Sequence, residues 1–258
     1  MATTRYQNIS VIRLQSLNQM ISHIYWLKHQ VLKQIRDIKA DYVIIDLGIP
    51  DNYFTVDLFL CADEQIVITE DDPTSMDNSF SFIQTCLMRK LYWVLRKDDE
   101  SLQTVKHWEV SLLPTSQKGL RAFIGADNRM PAITKKLLEK QIEAFAPRII
   151  VNKVRDHYSL ADFEFLLVKL SQKLGLCGHF YGVIPFDKAL QNIYKRRTIV
   201  HPGMLAYGAA QQMVKIVIQK IQGRFEGQGK KQPEEPGVKV QQKEGSTLIP
   251  RYSDLARQ

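Results

Sequence analysis

Apolar positions along this chain fall into two patterns, one with the helical period and one made of short continuous runs. Leu17, Met20, Ile21, Ile24, Leu27, Val31, Leu32 and Ile35 recur at helical spacing over residues 16–39 and predict an amphipathic helix. Residues 9–14 predict a short strand before it. Residues 41–48, Asp-Tyr-Val-Ile-Ile-Asp-Leu-Gly, form an apolar run that ends in an acid and a glycine, as buried parallel strands do where they meet a loop. Residues 65–69 and 148–152 predict two further buried strands, and 179–184 a fourth, ended by Pro185. Helices are expected from Pro73 to about Lys97, over 131–146, over 158–174 with Gly175 in the stop position, and over 203–225.

Short strands alternating with helices imply an α/β fold, a parallel sheet flanked by helices. Two stretches break the alternation. Residues 98–128, with Trp108, Leu112, Leu113 and Phe123, are expected to be partly ordered at the domain edge. Residues 226–258 are rich in Gln, Gly, Lys, Glu and Pro and are expected to be disordered, because so little apolar surface cannot offset the entropy of ordering. The expected organisation is one domain over 1–225 and a tail over 226–258.

In such sheets ligands bind at the carboxyl ends of the strands. Those ends carry Asp46-Leu-Gly48, Glu70-Asp-Asp72, Asn152-Lys153 and Pro185-Phe-Asp187. An acid at a strand tip can hold the water shell of a Mg²⁺ ion beside nucleotide phosphates. An Asn there can pair with the polar edge of a purine. Each also has an ordinary structural role: Asp46 as a loop acid, Asn152 as a turn cap, and Pro185 and Asp187 as a turn after a strand.

The order of these segments changes the weight of each. Asp-Leu-Gly follows one strand, Pro-Thr-Ser opens a helix, and then come Ile-Val-Asn-Lys-Val-Arg and Gly-Val-Ile-Pro-Phe-Asp. This order resembles the later two-thirds of the MinD/ParA family of P-loop ATPases, closest to its flagellar-number subgroup, FlhG, and to related MinD-like proteins. The resemblance covers about residues 9–222. It implies a P-loop NTPase-like fold, ATP and Mg²⁺ as cofactors, Asp46 as the Walker B metal residue, Asn152 as the adenine reader, and Pro185 and Asp187 beside the base. It implies a nucleotide-switch protein of the cell-positioning or flagellar-number type, a homodimer, and a last helix that can serve peripheral contact with the inner membrane. The ordinary alternative for that helix, a cover for the sheet, is favoured.

The family's Lys-Gly-Gly-x-Gly-Lys-Thr loop is absent from the sequence. Gly229-Lys230 has no strand before it and no Ser or Thr after it. The expectation is therefore an N-terminally incomplete fold, truncated or degenerate, without ATPase activity of its own. Gly48-Ile49-Pro50 also replaces the family's glycine-rich stretch after Walker B, which weakens the metal role of Asp46. The alternative is a non-catalytic scaffold or partner-binding protein derived from the same fold.

Composition adds little to this. Hydrophobic residues make up 45% and charged residues 24% of 258, enough for a sizeable core without staples. Cys61, Cys86 and Cys177 form no CxxC pair and read as free thiols of a reducing compartment. No run approaches the ~20 apolar residues of a membrane span, and residues 1–8 have no apolar signal core, so a cytoplasmic protein is expected. The net charge of +8 is spread along the chain, and nucleic acid is not expected as a partner. Lys195-Arg196-Arg197 reads as a solvated loop.

Overall fold

The structure, a computed structural model, describes residues 2–3, 10–11, 25–48, 52–114, 116–155 and 160–188, with positions 208, 211, 214, 215, 218 and 219. Two compact units divide the described residues, one with those up to Cys61 and one with those of Ala62–Ile249.

In the first unit β1 (Ala2–Thr3) pairs antiparallel with β2 (Ser10–Val11), within the strand expected over 9–14. Helix α1 (Tyr25–Arg36) lies within the helix expected over 16–39 and ends three residues before its expected bound. Helix α2 (Tyr53–Cys61) is not foreseen by periodicity. Its sequence, Tyr-Phe-Thr-Val-Asp-Leu-Phe-Leu-Cys, is apolar nearly all round, and residues Phe54 to Leu60 are all buried. Val31 and Leu32 of α1 meet Phe54 and Leu58 of α2, and Ile35, Leu47 and Cys61 pack against that cluster.

The expected strand over 41–48 is not formed. A parallel strand exists only through its neighbours' hydrogen bonds, and no described strand pairs with these residues. Leu47 packs on the α1–α2 cluster, while Tyr42, Val43 and Ile44 remain exposed, Ile44 by 92%.

The second unit contains the α/β core. Strands β3 (Ile66–Glu70), β4 (Arg148–Val154) and β5 (His179–Pro185) form a parallel sheet in that order, with β4 central. Three of the four predicted parallel strands are thus present. Between β3 and β4 the chain runs through α3 (Pro73–Leu95), α4 (Asp99–His107), α5 (Leu120–Ala126) and α6 (Ala132–Glu143). Helix α7 (Leu160–Lys169), continued by a π-helical turn over Leu170–Leu174, joins β4 to β5. Gly175 ends it at φ +71°, the left-handed conformation that favours glycine at this stop.

Asp72 caps α3 by accepting the Ser75 N–H at 2.9 Å, with Pro73 at the first turn. The Ser75 hydroxyl and N–H hold the Asp72 carboxyl below the usual aspartate range. This contribution is present above about pH 4 and is lost on acidification through the lowered value. Ile83, Leu87 and Leu91 of α3 are fully buried, and Lys169 of α7 pairs with Asp77 of α3 at 2.7 Å.

Residues 98–128, expected at the domain edge and partly ordered, supply much of the core. Val105, Leu120 and Ile124 have no exposure, and Trp108 has 4%. Trp108 lies in a π-helical turn, Trp108–Leu112, that continues α4 and turns its ring toward Phe123, 6.2 Å away between centroids. Gly119 opens α5 where the chain meets the end of α7; a Cβ there would lie 1.9 Å from the Gln172 carbonyl oxygen. The described positions 208, 211, 214, 215, 218 and 219 are helical and fall in the last expected helix. The rest of that helix, the basic trio at 195–197 and the tail 226–258 lie outside the described residues. Among the described residues no helix is long and apolar enough to cross a membrane.

A buried polar cluster joins the amino ends of the three strands. The Arg148 Nε lies 2.8 Å from Glu64 Oε2 and 3.1 Å from the Tyr181 hydroxyl, and Nη1 donates to the Ala146 carbonyl at 2.7 Å. The Arg148 and Glu64 side chains are only 9% and 10% exposed. Removing one partner leaves the other charge buried without its counter-ion, which typically costs about 3–5 kcal/mol. We expect Arg148→Met to lose about 3 kcal/mol in urea unfolding. The double variant Arg148→Met/Glu64→Leu should recover most of that loss, and equal losses in both would contradict the pairing.

Lys90 of α3 is a half-buried charge. Burial pushes its ammonium down to about 8 from 10.5, and its contact is the Phe145 ring, 5.6 Å from Nζ to the centroid. The unfolded chain therefore binds more protons between pH 8 and 10.5, so stability rises with pH across that window and the penalty is full below it. We expect Lys90→Met to stabilise the protein by about 1–2 kcal/mol at pH 7. The gain should vanish near pH 10.5; a gain that persists there would show that packing, not charge, causes it.

Candidate functional site at the carboxyl edge of the sheet

The register brings specific residues to the carboxyl ends of β3, β4 and β5. Glu70, the last residue of β3, is opposite Asn152 of β4, and Asn152 is opposite Ile184 of β5. Paired residues in a parallel sheet point to the same face, so Glu70 and Asn152 share one. The register with β5 then slips between Asn152 and Val154, and Val154 pairs with Pro185. Lys153 is the extra residue of this bulge. It sits at φ +58°, the only described non-glycine residue with positive φ.

The bulge changes where Lys153 reaches. In a regular strand its side chain would point away from the face of Asn152. Here its ammonium forms an ion pair with Glu70 Oε1, with the two side chains 53% and 48% exposed. The Lys153 N–H donates to Asn152 Oδ1 at 2.9 Å. That bond fixes the half-buried Asn152 amide and leaves its NH₂ group directed to other partners. The carbonyl oxygen keeps a second lone pair, so the amide can still donate and accept together, as pairing with a purine edge requires.

Pro185 ends β5, and the next residue, Phe186, donates its N–H to the Val154 carbonyl at 2.7 Å. The Arg155 guanidinium lies over the Phe186 ring at 5.7 Å. Asp187 follows, half-buried. Of the residues singled out in the sequence, Asn152, Pro185 and Asp187 thus come from the ends of adjacent strands. Glu70 and Lys153 belong with them. They stood at predicted strand ends, but only the bulge reveals that they meet. Complementary charges on neighbouring strand ends were the available signal.

Asp46 belongs to the other compact unit. It ends no strand, is exposed, and accepts the Gly48 N–H on Oδ1 at 3.1 Å, while Gly48 adopts φ +61°. This is an Asx turn, the ordinary loop role of an aspartate before glycine. Mg²⁺ in nucleotide sites is held by one or two carboxylates together with substrate phosphates. Asp46 is a lone loop carboxylate with one oxygen already engaged, and the sequence contains no phosphate-wrapping loop. These residues do not fit a magnesium site. Among the described residues no group of three or more His, Cys, Asp or Glu side chains could hold a metal ion.

No protein-family model matches the chain, and neither a curated protein nor a solved structure matches it.

The backbone at Lys153 gives a test of this geometry. A left-handed conformation costs a non-glycine residue of order 1–3 kcal/mol, most for β-branched side chains. Lys153→Gly should therefore be neutral or stabilising by up to about 1 kcal/mol, and Lys153→Val should cost about 1–2 kcal/mol relative to it. Chemical denaturation of the two variants decides. A Val variant as stable as the Gly variant would place Lys153 in ordinary strand geometry.

Proposed function

We propose that this chain is a MinD/ParA-like nucleotide-fold protein of the cell-positioning or flagellar-number type, which recognises the adenine end of a nucleotide but does not hydrolyse ATP by itself. The observation that carries the reading is the position of Asn152. It ends the central strand of a parallel sheet, half-buried, with its amide oriented by the next residue's N–H and its NH₂ group available to a base. Ligands of open α/β sheets bind at that edge. The motif order of the sequence resembles that of the family, and under that resemblance the adenine reader falls at the same residue.

The family's phosphate-wrapping loop has no counterpart in this sequence. The backbone cradle and lysines that stabilise transferring phosphate are missing from the sequence. Base contacts alone give limited affinity. A neutral hydrogen bond contributes about 0.5–1.5 kcal/mol net, and millimolar binding already requires roughly 4 kcal/mol. Two or three such bonds with ring stacking reach about that level.

Titration calorimetry or ligand-observed NMR with adenosine, ADP and ATP tests the reading. All three should bind at about millimolar strength, with little preference for ATP, and Asn152→Ala should weaken each several-fold. Micromolar ATP binding that adenosine does not reproduce would require a phosphate cradle and would overturn the non-hydrolytic reading. Absence of any adenine response would leave the second reading, a partner-binding scaffold. That reading is favoured by one observation: Phe165 and Val168, one turn apart on α7, are 62% and 47% exposed.

A further inference from the structure

Glu70 and Lys153 occupy the edge at which the proposed ligand would sit, and neither has a role in the resemblance that suggested Asn152. Their ion pair is half-exposed, and such pairs add little to stability. Its geometry is more informative. The pair spans from the last residue of β3 to the bulge residue of β4, and it draws the Lys153 side chain to the face on which Glu70 and Asn152 already stand. Lys153 is held in a left-handed conformation that lysine rarely adopts. Such a conformation persists only where its surroundings fix it. Two contacts do so at this residue: the side-chain bond to Glu70, and the backbone N–H bond to Asn152 Oδ1.

These two contacts share one residue and are therefore coupled. If Glu70 releases the ammonium, the long Lys153 side chain returns to solvent and one support of the left-handed backbone is lost. The Lys153 N–H then turns away from Asn152 Oδ1, and the Asn152 amide regains rotational freedom. We infer that Glu70 is a positioning residue, which acts through Lys153 to hold the Asn152 amide in the orientation that reads adenine. The inference rests on the proposed adenine site for its ligand, but its structural half stands apart from that reading.

The pair has a second consequence for selectivity. Lys153 is the cation adjacent in sequence to Asn152, and Glu70 neutralises it. With Glu70 in place the edge selects by the base rather than by charge. With Glu70 neutral, the freed ammonium attracts phosphate, so ATP should gain over adenosine.

The test uses the full chain labelled with ¹⁵N. The Asn152 side-chain NH₂ signals are identified by their loss in Asn152→Ala. In Glu70→Gln they should shift and broaden while signals from the core of the sheet stay in place. Adenosine binding should fall about fivefold, and the ratio of ATP to adenosine affinity should rise. The charge-swapped variant Glu70→Lys/Lys153→Glu should restore the Asn152 signals and adenosine binding. Unchanged Asn152 signals in Glu70→Gln, or a charge swap that restores neither property, would overturn the positioning role. If adenosine perturbs no signal of the wild-type chain, the adenine reading fails, whereas the response of the Asn152 signals to Glu70→Gln still decides the positioning role.

Discussion

The sheet of this protein is organised around a buried charge pair, Arg148 with Glu64, bridged by the Tyr181 hydroxyl. Desolvating two charges is expensive, and the attraction between them offsets that cost only when their geometry is right. The arrangement therefore tolerates little displacement. Glu64 lies just before β3, Arg148 begins β4, and Tyr181 lies in β5, so one guanidinium ties all three strands near their starts. Backbone bonds from Arg148 N to the Gln65 carbonyl and from His179 N to the Pro147 carbonyl set the same ends. Sliding a strand by one residue would separate the pair and also move every side chain to the opposite face.

A register set at the amino ends determines what meets at the carboxyl ends. Counting along β3 and β4 from the clamp brings Glu70 beside Asn152. The bulge at Lys153 then adds a charged residue to the face they share. The edge that results carries an amide and an ion pair side by side. It has an oriented amide and an internally neutralised lysine, and its candidate metal residue is a loop aspartate in a separate unit.

The parallel sheet was legible where local signals and tertiary demands agree. Runs such as Ile66-Val-Ile and Ile149-Ile-Val are apolar, β-branched and bounded by polar residues; the second became the buried central strand, whereas the first became an edge strand with one open face, on which Ile68 is 60% exposed. Residues 42–45 carry the same signal and formed no strand, because an apolar run specifies burial or pairing without naming the partner. Helix α2 was hidden for the opposite reason: apolar on all sides, it has no period to detect. Residues 98–128 read as mixed because their apolar positions are split among two short helices and a π-helical turn, and only the turn aligns Trp108 with Phe123. At the site, Asn152 was legible from its strand end, whereas the Glu70–Lys153 pair depended on a one-residue bulge that no spacing rule marks.

The register itself is open to direct measurement. In a perdeuterated sample with protonated amides, nuclear Overhauser contacts map which backbone amides are neighbours across strands. Parallel contacts are expected in which Val67 faces Ile149, Thr69 faces Val151 and Glu70 faces Asn152, with the β4–β5 pairing slipping between Ile149 and Ile150 and again at Lys153. Contacts displaced by one residue between β3 and β4, or an unbroken ladder through Lys153, would contradict this register.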